Sequence, residues 1–399
     1  MHLFFSAGEA SGDEHASELM HELAERGPLK AAGFGGPQML DAGQKQLFPL
    51  TELAVMGIGQ IAPQLKTFFR LADEAEAYFR DERPDALVLI DYPGFNWHLA
   101  KRAKRHGVPV VYYMPPQLWA WAPWRVRKAR RSIDLALSGL PFEADWYARR
   151  GVPVQHVSHP FFDEVATREL DAATVDGIRR RGRAVALLPG SRNSEVHGNF
   201  PVQLQAAKRL FDEHPDVRFH VACYKPAHKT FCEQAIAEQA AGLPIQLHLG
   251  RTSEIIDAAD ACIAVSGSVS LELLARRCPT TMLYKLSLFT WTTAAFLLTT
   301  PYITLPNVLA GREVMPEHKF VRREHVHAEA LAADVHEWLA DDAMRAAKVA
   351  ELDAIAQQVV RPGGTAAAAE AIESLIASRA QSAADSDSAT GDETIRLAA

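Results

Sequence analysis

The chain has 399 residues, 48% of them hydrophobic, which is enough for two domains that each bury a core and excludes a single small module. Its formal charge of -7 comes from 42 basic and 49 acidic residues, so no global basic field advertises nucleic acid or an anionic bilayer. The four cysteines, Cys223, Cys232, Cys262 and Cys278, have neither CxxC spacing nor neighbouring His/Cys ligand sets, and read as buried reduced thiols rather than a zinc site.

The apolar run His2-Leu3-Phe4-Phe5 reads as a first strand. No basic region with a cleavage site precedes it, so the protein is expected to stay in the cytoplasm. GEASGD (8–13) follows as a glycine turn into a helix over 14–25. Such turns present backbone N–H groups that attract phosphate, but Glu9 and Asp13 would repel one, and the third glycine of the dinucleotide pattern is missing. Two readings stand: a tight turn capped by Ser11 or Asp13, or a loop that touches substrate. Further on, Ile61, Leu65, Phe68, Phe69 and Ala72 share one helical stripe, which fits either core packing or an acyl-chain or bilayer contact.

The run LVLID ends in Asp91 and opens DYPGFN. A carboxylate at a strand's carboxyl end can act as general base on a bound hydroxyl or can cap the helix that begins near Phe95; Asn96 lies beside it. PPQLWAWAPWRVRKARR, from Pro115, sets Trp119, Trp121 and Trp124 before a basic run. Aromatics next to such a helix could grip a sugar, a lipid phosphate or a bilayer, or the tryptophans could anchor a solvated helix to the core.

ALVLI (86–90), VPVVYY (108–113), LALSG (135–139), AVALLPG (184–190), VRFHVA (217–222), ACIAV (261–265) and TTMLY (280–284) read as strands separated by amphipathic helices. The alternation implies parallel sheets covered on both faces, with ligands at the carboxyl ends of strands. The pattern restarts near Arg183, which gives two α/β domains with a cleft between them. LLPGSRNSEV (187–196) reads as a strand, a Pro-Gly turn and a helix start, where N–H groups and Arg192 could cradle a diphosphate, or as a plain turn with an exposed arginine. VSGSVSLELL places Ser266 and Gly267 at another strand end, with Glu272 one turn into the next helix, where it could accept from a ribose diol. The second domain would then hold a nucleotide and the first an acceptor.

The uncharged stretch between Lys285 and Arg312 is broken by threonines, Pro301 and Pro306, and reads as a partly buried or interfacial helix rather than a membrane span. Domain boundaries are expected at 1–166 and 167–344, followed by helices over 345–378 and a Ser/Ala/Asp-rich, disordered tail over 379–399.

The motifs GEASGD, GFGGPQM, LAVMGIGQ, DYPGFN, WAW, LPFE, LLPGSR, SGSVSLE and LPNVLAGRE, in this order over roughly residues 1 to 375, closely resemble the lipid-A-disaccharide synthase family. The resemblance implies an α/β fold of GT-B architecture, two Rossmann-like parallel-sheet domains facing a cleft with a helical C-terminal segment. It implies an inverting glycosyltransferase that moves 2,3-diacylglucosamine from its UDP conjugate to the 6-hydroxyl of 2,3-diacylglucosamine 1-phosphate, without metal or cofactor.

By the same resemblance Asp91 is the base, Arg192 the essential arginine and Asn307 the catalytic asparagine of LPN. Ser191, Arg192, Ser266, Gly267 and Glu272 lie around UDP. Glu9, Ser11, Asp13, Asn96, Trp119 and Trp121 belong to the acceptor cleft, and Ile61, Leu65, Phe68 and Phe69 to a membrane or acyl-chain contact. The enzyme is then peripheral to the inner face of the cytoplasmic membrane, without nucleic-acid partners, and a homodimer is left open. Gly94 stands where the family often has Asp, Gln60 where it often has Glu, and Pro116-Gln117 where Ser-x usually precedes WAW. These departures touch the acceptor side. The competing readings are another UDP-sugar enzyme of the same fold, such as a UDP-N-acetylglucosamine epimerase, or a non-catalytic UDP-sugar-binding protein.

Overall fold

Two all-parallel sheets arise from these apolar runs in the computed structural model, which describes residues 1–55, 61–285, 300–321 and 324–396. The chain divides into Met1–Asp163 with Arg361–Ala399, and Glu164–Val360.

In the first unit β1 (His2–Ala7), β2 (Lys30–Gly35), β3 (Lys45–Pro49), β4 (Ala86–Ile90), β5 (Val110–Tyr113), β6 (Leu135–Ser138) and β7 (Val154–His156) lie in the order β3-β2-β1-β4-β5-β6-β7. Alternate residues of β1 and β4 feed opposite cores. Phe4, Leu87 and Leu89 pack with Leu71, Phe79 and Leu99 on one face, and Leu3, Phe5, Val88 and Ile90 with Leu19, Met20 and Leu23 on the other. Burial on both faces is why these strands read as unbroken apolar runs. In β2, Gly33 has φ +140° and a Cβ there would stand 2.0 Å from the Phe5 carbonyl oxygen, so only glycine lets β2 lie this close to β1.

The second unit has β8 (Ala184–Leu188), β9 (Arg218–Cys223), β10 (Ile245–Leu249), β11 (Ala261–Val265), β12 (Thr280–Lys285) and β13 (Glu317–Phe320), in the order β10-β9-β8-β11-β12-β13. Each sheet reverses its winding beside its first strand, between β1 and β4 and between β8 and β11. At such switch points successive crossovers leave in opposite directions and open a crevice at the strands' carboxyl ends.

The C-terminal segment differs from the sequence expectation. The helix Asp342–Val359 belongs to the second unit, where Leu352 and Ala356 pack with Leu273 and Met282. The chain then rejoins the first unit, and the helix Gly364–Arg396 buries Ala368, Ala369 and Ile372 against Leu19 and Leu23. The Asp163 carboxylate accepts from the N–H groups of Gly363, Gly364 and Thr365, which neutralises the start of that helix. The tail expected to be disordered continues this helix to Arg396. Alanine's high helix propensity supports it, and Arg379 donates to Asp134 at 2.6 Å.

All four cysteines are buried and free, as expected. Among the described residues no helix is long and apolar enough to cross a membrane. Residues 286–299 of the uncharged stretch, including its apolar run near Phe289, lie outside the described residues, as does Gln60.

Candidate active site

Asp91 follows the last residue of β4, and the chain leaves the strand through two successive left-handed residues, Asp91 at φ +44° and Tyr92 at φ +42°. Each such residue costs ~1–3 kcal/mol, so the turn must be held from outside. The Tyr112 hydroxyl (2.6 Å) and the Asn96 amide (2.9 Å) both donate to the Asp91 carbonyl. Asn96 also donates to the carbonyls of Ser6 and Ile90 and accepts from the Ser6 hydroxyl at 2.7 Å. It is fully buried, a clamp joining the ends of β1 and β4, and not the acceptor-facing residue the sequence reading expected. Gly8 gives room for the Tyr92 ring, which would stand 2.3 Å from a Cβ at that position.

Asp91 is half-buried, and no protein group donates to its carboxylate among the described residues. Burial pushes its pKa up to about 6; His15 opposes the shift and Glu9 adds to it. A carboxylate with free lone pairs and a pKa this close to neutrality suits proton abstraction. At position 94 a Cβ would meet nothing within 4 Å, so the acid missing there leaves no gap against the Asp91 turn.

Three titratable groups around this turn were not singled out in the sequence. His15 is buried, and although burial lowers its pKa, the hydrogen bond to Glu18 and the nearby Asp91 outweigh it, so the net shift is upward. The His159 ring meets it edge-on at 5.7 Å and is held neutral, its pKa lowered to about 3 by burial and by His15. Glu143, from LPFE, is buried and pushed up to about 7, even though Ser138 (2.6 Å) and the Trp119 indole (2.9 Å) donate to it. The legible signal was an acid within the apolar run SGLPFEADWY just after β6.

The acids of GEASGD part company. Both Asp13 oxygens are taken by the next loop: Gly36 (2.8 Å) and Met39 (3.1 Å) donate to one, Gln38 (3.0 Å) to the other. Asp13 is therefore neither a sugar contact nor a cap on its own helix; it anchors the turn into Pro37–Asp41, against which Gly36 has no room for a Cβ. Asp13→Ala is expected to cost about 2–4 kcal/mol in urea unfolding, because two buried N–H donors and one part-buried one lose their acceptor. A loss below ~1 kcal/mol would contradict this. Glu9 is partly exposed and Ser11 exposed.

Trp121 is partly buried against the core with Arg125 4.8 Å from its ring, while Trp124 is 58% exposed. The apolar stripe divides. Phe68 packs on Phe95 at 5.4 Å, Phe69 is 52% exposed, and the side chains of Ile61 and Leu65 lie outside the described residues.

In the second unit the turns after β8 and β11 sit side by side, since Leu188 pairs with Ala264. This brings the exposed Ser191 and Arg192 to the same sheet end as Ser266 and Gly267. Gly190, at φ +121°, passes beneath Glu195, whose Cβ would lie 2.6 Å from a Cβ on the glycine. Glu195 reaches back to the N–H groups of Ser191 (3.1 Å) and Arg192 (3.2 Å) and to the Arg192 guanidinium (2.9 Å).

The family model described as lipid-A-disaccharide synthetase matches residues 3–370. The chain belongs to the lipid-A-disaccharide synthase family. It is 35% identical over 368 residues to the lipid-A-disaccharide synthase of Anaeromyxobacter sp. (strain K), covering 92% of this chain and 95% of that one. In fold it is similar to CalG4, the calicheamicin glycosyltransferase, with a TM-score of 0.56, 16% identity and coverage of 94% and 97%. It is also similar to UDP-GlcNAc 2-epimerase from Neisseria meningitidis bound to UDP-GlcNAc, with a TM-score of 0.59, 10% identity and coverage of 96% and 100%. The two parallel-sheet units with a helical C-terminal segment have the GT-B type of architecture, and membership of the lipid-A-disaccharide synthase family makes the chain a hexosyltransferase.

Within that family's pattern two residues of the second unit need rereading. Asn307 is fully buried; its oxygen accepts from Val314 and Met315 (both 2.8 Å), and its nitrogen donates to the Met315 carbonyl (2.7 Å) and to Glu317 (2.9 Å). With its amide capacity filled, it has no atom left for a reacting group, so the direct catalytic role expected of it is corrected to positioning. The Glu317 carboxylate it helps to hold also accepts from Ile303 and Thr304, so the pair fixes the segment from 303 to 317. Glu272 is buried with one oxygen on Arg276 at 2.9 Å, and among the described residues its other oxygen has no partner and can still accept a hydroxyl.

Away from both turns, Glu213, His214 and His336 bring ligand-type atoms within 4.8 Å of one another, a grouping the sequence hides because His336 comes from a separate helix. The Arg183 guanidinium, 3.3 Å from His214 Nδ1, puts a cation beside it.

Proposed function

We propose that the chain condenses UDP-2,3-diacylglucosamine with 2,3-diacylglucosamine 1-phosphate to a β-1,6-linked disaccharide 1-phosphate and UDP. The observation that carries this reading is the unpartnered Asp91 carboxylate, raised to about 6 at the first sheet's switch point, in a chain matched by the family over residues 3–370. Asp91 takes the proton of the acceptor 6-hydroxyl as that oxygen bonds to the donor's anomeric carbon. The bond from this carbon to the diphosphate breaks, and its electron pair leaves on UDP, so configuration inverts. Arg192 and the N–H groups of Ser191, Ser266 and Gly267 meet the growing charge on the diphosphate, and Glu272 accepts from the ribose.

Because both substrates carry acyl chains, the protein works at the inner face of the membrane without spanning it. Exposed Phe69, and Trp124 ahead of the basic helix Val126–Ser132, are suited to that surface. The test is an assay in detergent micelles with both substrates, following UDP and disaccharide by mass spectrometry. Product that requires both substrates is the expected result. UDP binding without disaccharide, across several acyl lengths, would reassign the acceptor or leave a binding protein.

A further inference from the structure

Two of the donors that this reading assigns to the diphosphate, the Ser191 N–H and the Arg192 guanidinium, are already engaged. The N–H groups of Ser191 and Arg192 and the Arg192 guanidinium all point to the carboxylate of Glu195, a charged acceptor of the same chemical kind as a phosphate oxygen. The seat is shaped for it, because Gly190 leaves only 2.7 Å between an added Cβ and the nearer Glu195 oxygen. Both partners can also leave it: the side chains of Glu195 and Arg192 are 25% and 70% exposed. The Glu195 backbone stays fixed meanwhile, since its carbonyl accepts from Asn199 at 2.8 Å within the helix Asn193–Glu213.

We infer that Glu195 is a resident anion that competes with the donor's diphosphate for the turn after β8, an inference that rests on the nucleotide reading of that turn. The carboxylate holds Arg192 and keeps the neighbouring N–H groups satisfied. A diphosphate carries more charge and more acceptor oxygens, so it displaces the carboxylate, at a cost in affinity. After transfer, the return of Glu195 to the same donors assists departure of UDP. A simple cap on the helix start would involve the same hydrogen bonds but would not oppose a bound anion.

Glu195→Gln keeps the length and one acceptor while removing the charge; Glu195→Ala removes both. Calorimetric titration of each variant and the unmodified protein with UDP and with uridine separates the two roles. The expected result is UDP binding about tenfold tighter in Glu195→Gln, the worth of one charged hydrogen-bonding group, with uridine unchanged. In steady state kcat falls with the donor KM, because UDP leaves more slowly. UDP affinity that is unchanged or weaker in both variants would overturn the inference and leave Glu195 as a cap. An equal shift for UDP and uridine would overturn it as well, by placing the effect away from the diphosphate. An unmodified protein that binds neither ligand would instead remove the nucleotide reading itself.

Discussion

Asp91→Asn is expected to lower kcat by about 10²- to 10⁴-fold, the usual contribution of a general base, while UDP binding stays within about twofold. The substitution isolates the carboxylate because the amide is isosteric and the strained turn is held through the Asp91 carbonyl, by Tyr112 and Asn96, and not through its side chain. The pH profile gives a second readout. A base works ionised, so with a pKa of about 6 the unmodified enzyme should lose kcat/KM tenfold per pH unit below that value, and the variant should lack this limb.

Stability should move the other way. A carboxyl whose folded pKa lies above its unfolded value holds its proton more tightly when folded, so stability falls as pH rises from 3.8 to about 6. Asp91→Asn removes that loss and should be more stable at pH 8 by on the order of 1–3 kcal/mol, with little change at pH 3. A variant that is both more stable and inactive would identify a group kept in an unfavourable environment for its chemistry. Turnover equal to that of the unmodified enzyme would take Asp91 out of the mechanism.

The sheets were readable where strands are buried on both faces, because β1, β4, β8 and β11 have to be continuously apolar. Of the strands that escaped notice, β2, β3, β7, β10 and β13, two show why most plainly. β2, KAAGFG, is held by close packing of glycine on β1, and β13, EHKF, is a charged edge strand. The placement of Asp91, Arg192 and Ser266 just past strand ends was legible in the sequence.

Roles were less legible, because a polar side chain's partners are set by tertiary structure. Asp13 meets N–H groups more than twenty positions away, Asn96 ties in Ser6 across 90 positions, and Asn307 is spent on the chain just beyond it. Each looks like a substrate contact in sequence because each stands in the first turn of a helix that follows a loop, where a polar side chain can face either a ligand or the chain itself. Glu195 was written in LPGSRNSEV three residues after Arg192, in the spacing of a helix-start acid, yet only the fold shows that it takes the N–H groups of both Ser191 and Arg192.

Arg192→Ala is expected to reduce kcat by about 10²- to 10³-fold, the scale of losing one preorganised donor to a developing anion. The argument turns on when the charge grows. In the bound donor the diphosphate shares its charge with the glycosyl bond, and as that bond breaks another electron pair arrives on the leaving oxygen, so a guanidinium there gains interaction on the way to the transition state. The loss should therefore fall mainly on kcat, with KM for the donor changing less. Arg192→Lys supplies the charge without the planar fork and should recover about tenfold at most. The neighbouring carboxylate sharpens the test, since Arg192 forms a 2.9 Å ion pair with Glu195 that binding a diphosphate would have to break. In Arg192→Ala that competitor has lost its guanidinium partner but still faces the Ser191 and Arg192 N–H groups, so adding Glu195→Gln should restore part of the donor affinity and little of kcat. If Arg192→Ala raised KM alone and left kcat intact, the arginine would hold ground state and transition state equally, and the charge on the departing UDP would have to be met by the backbone N–H groups of the two turns.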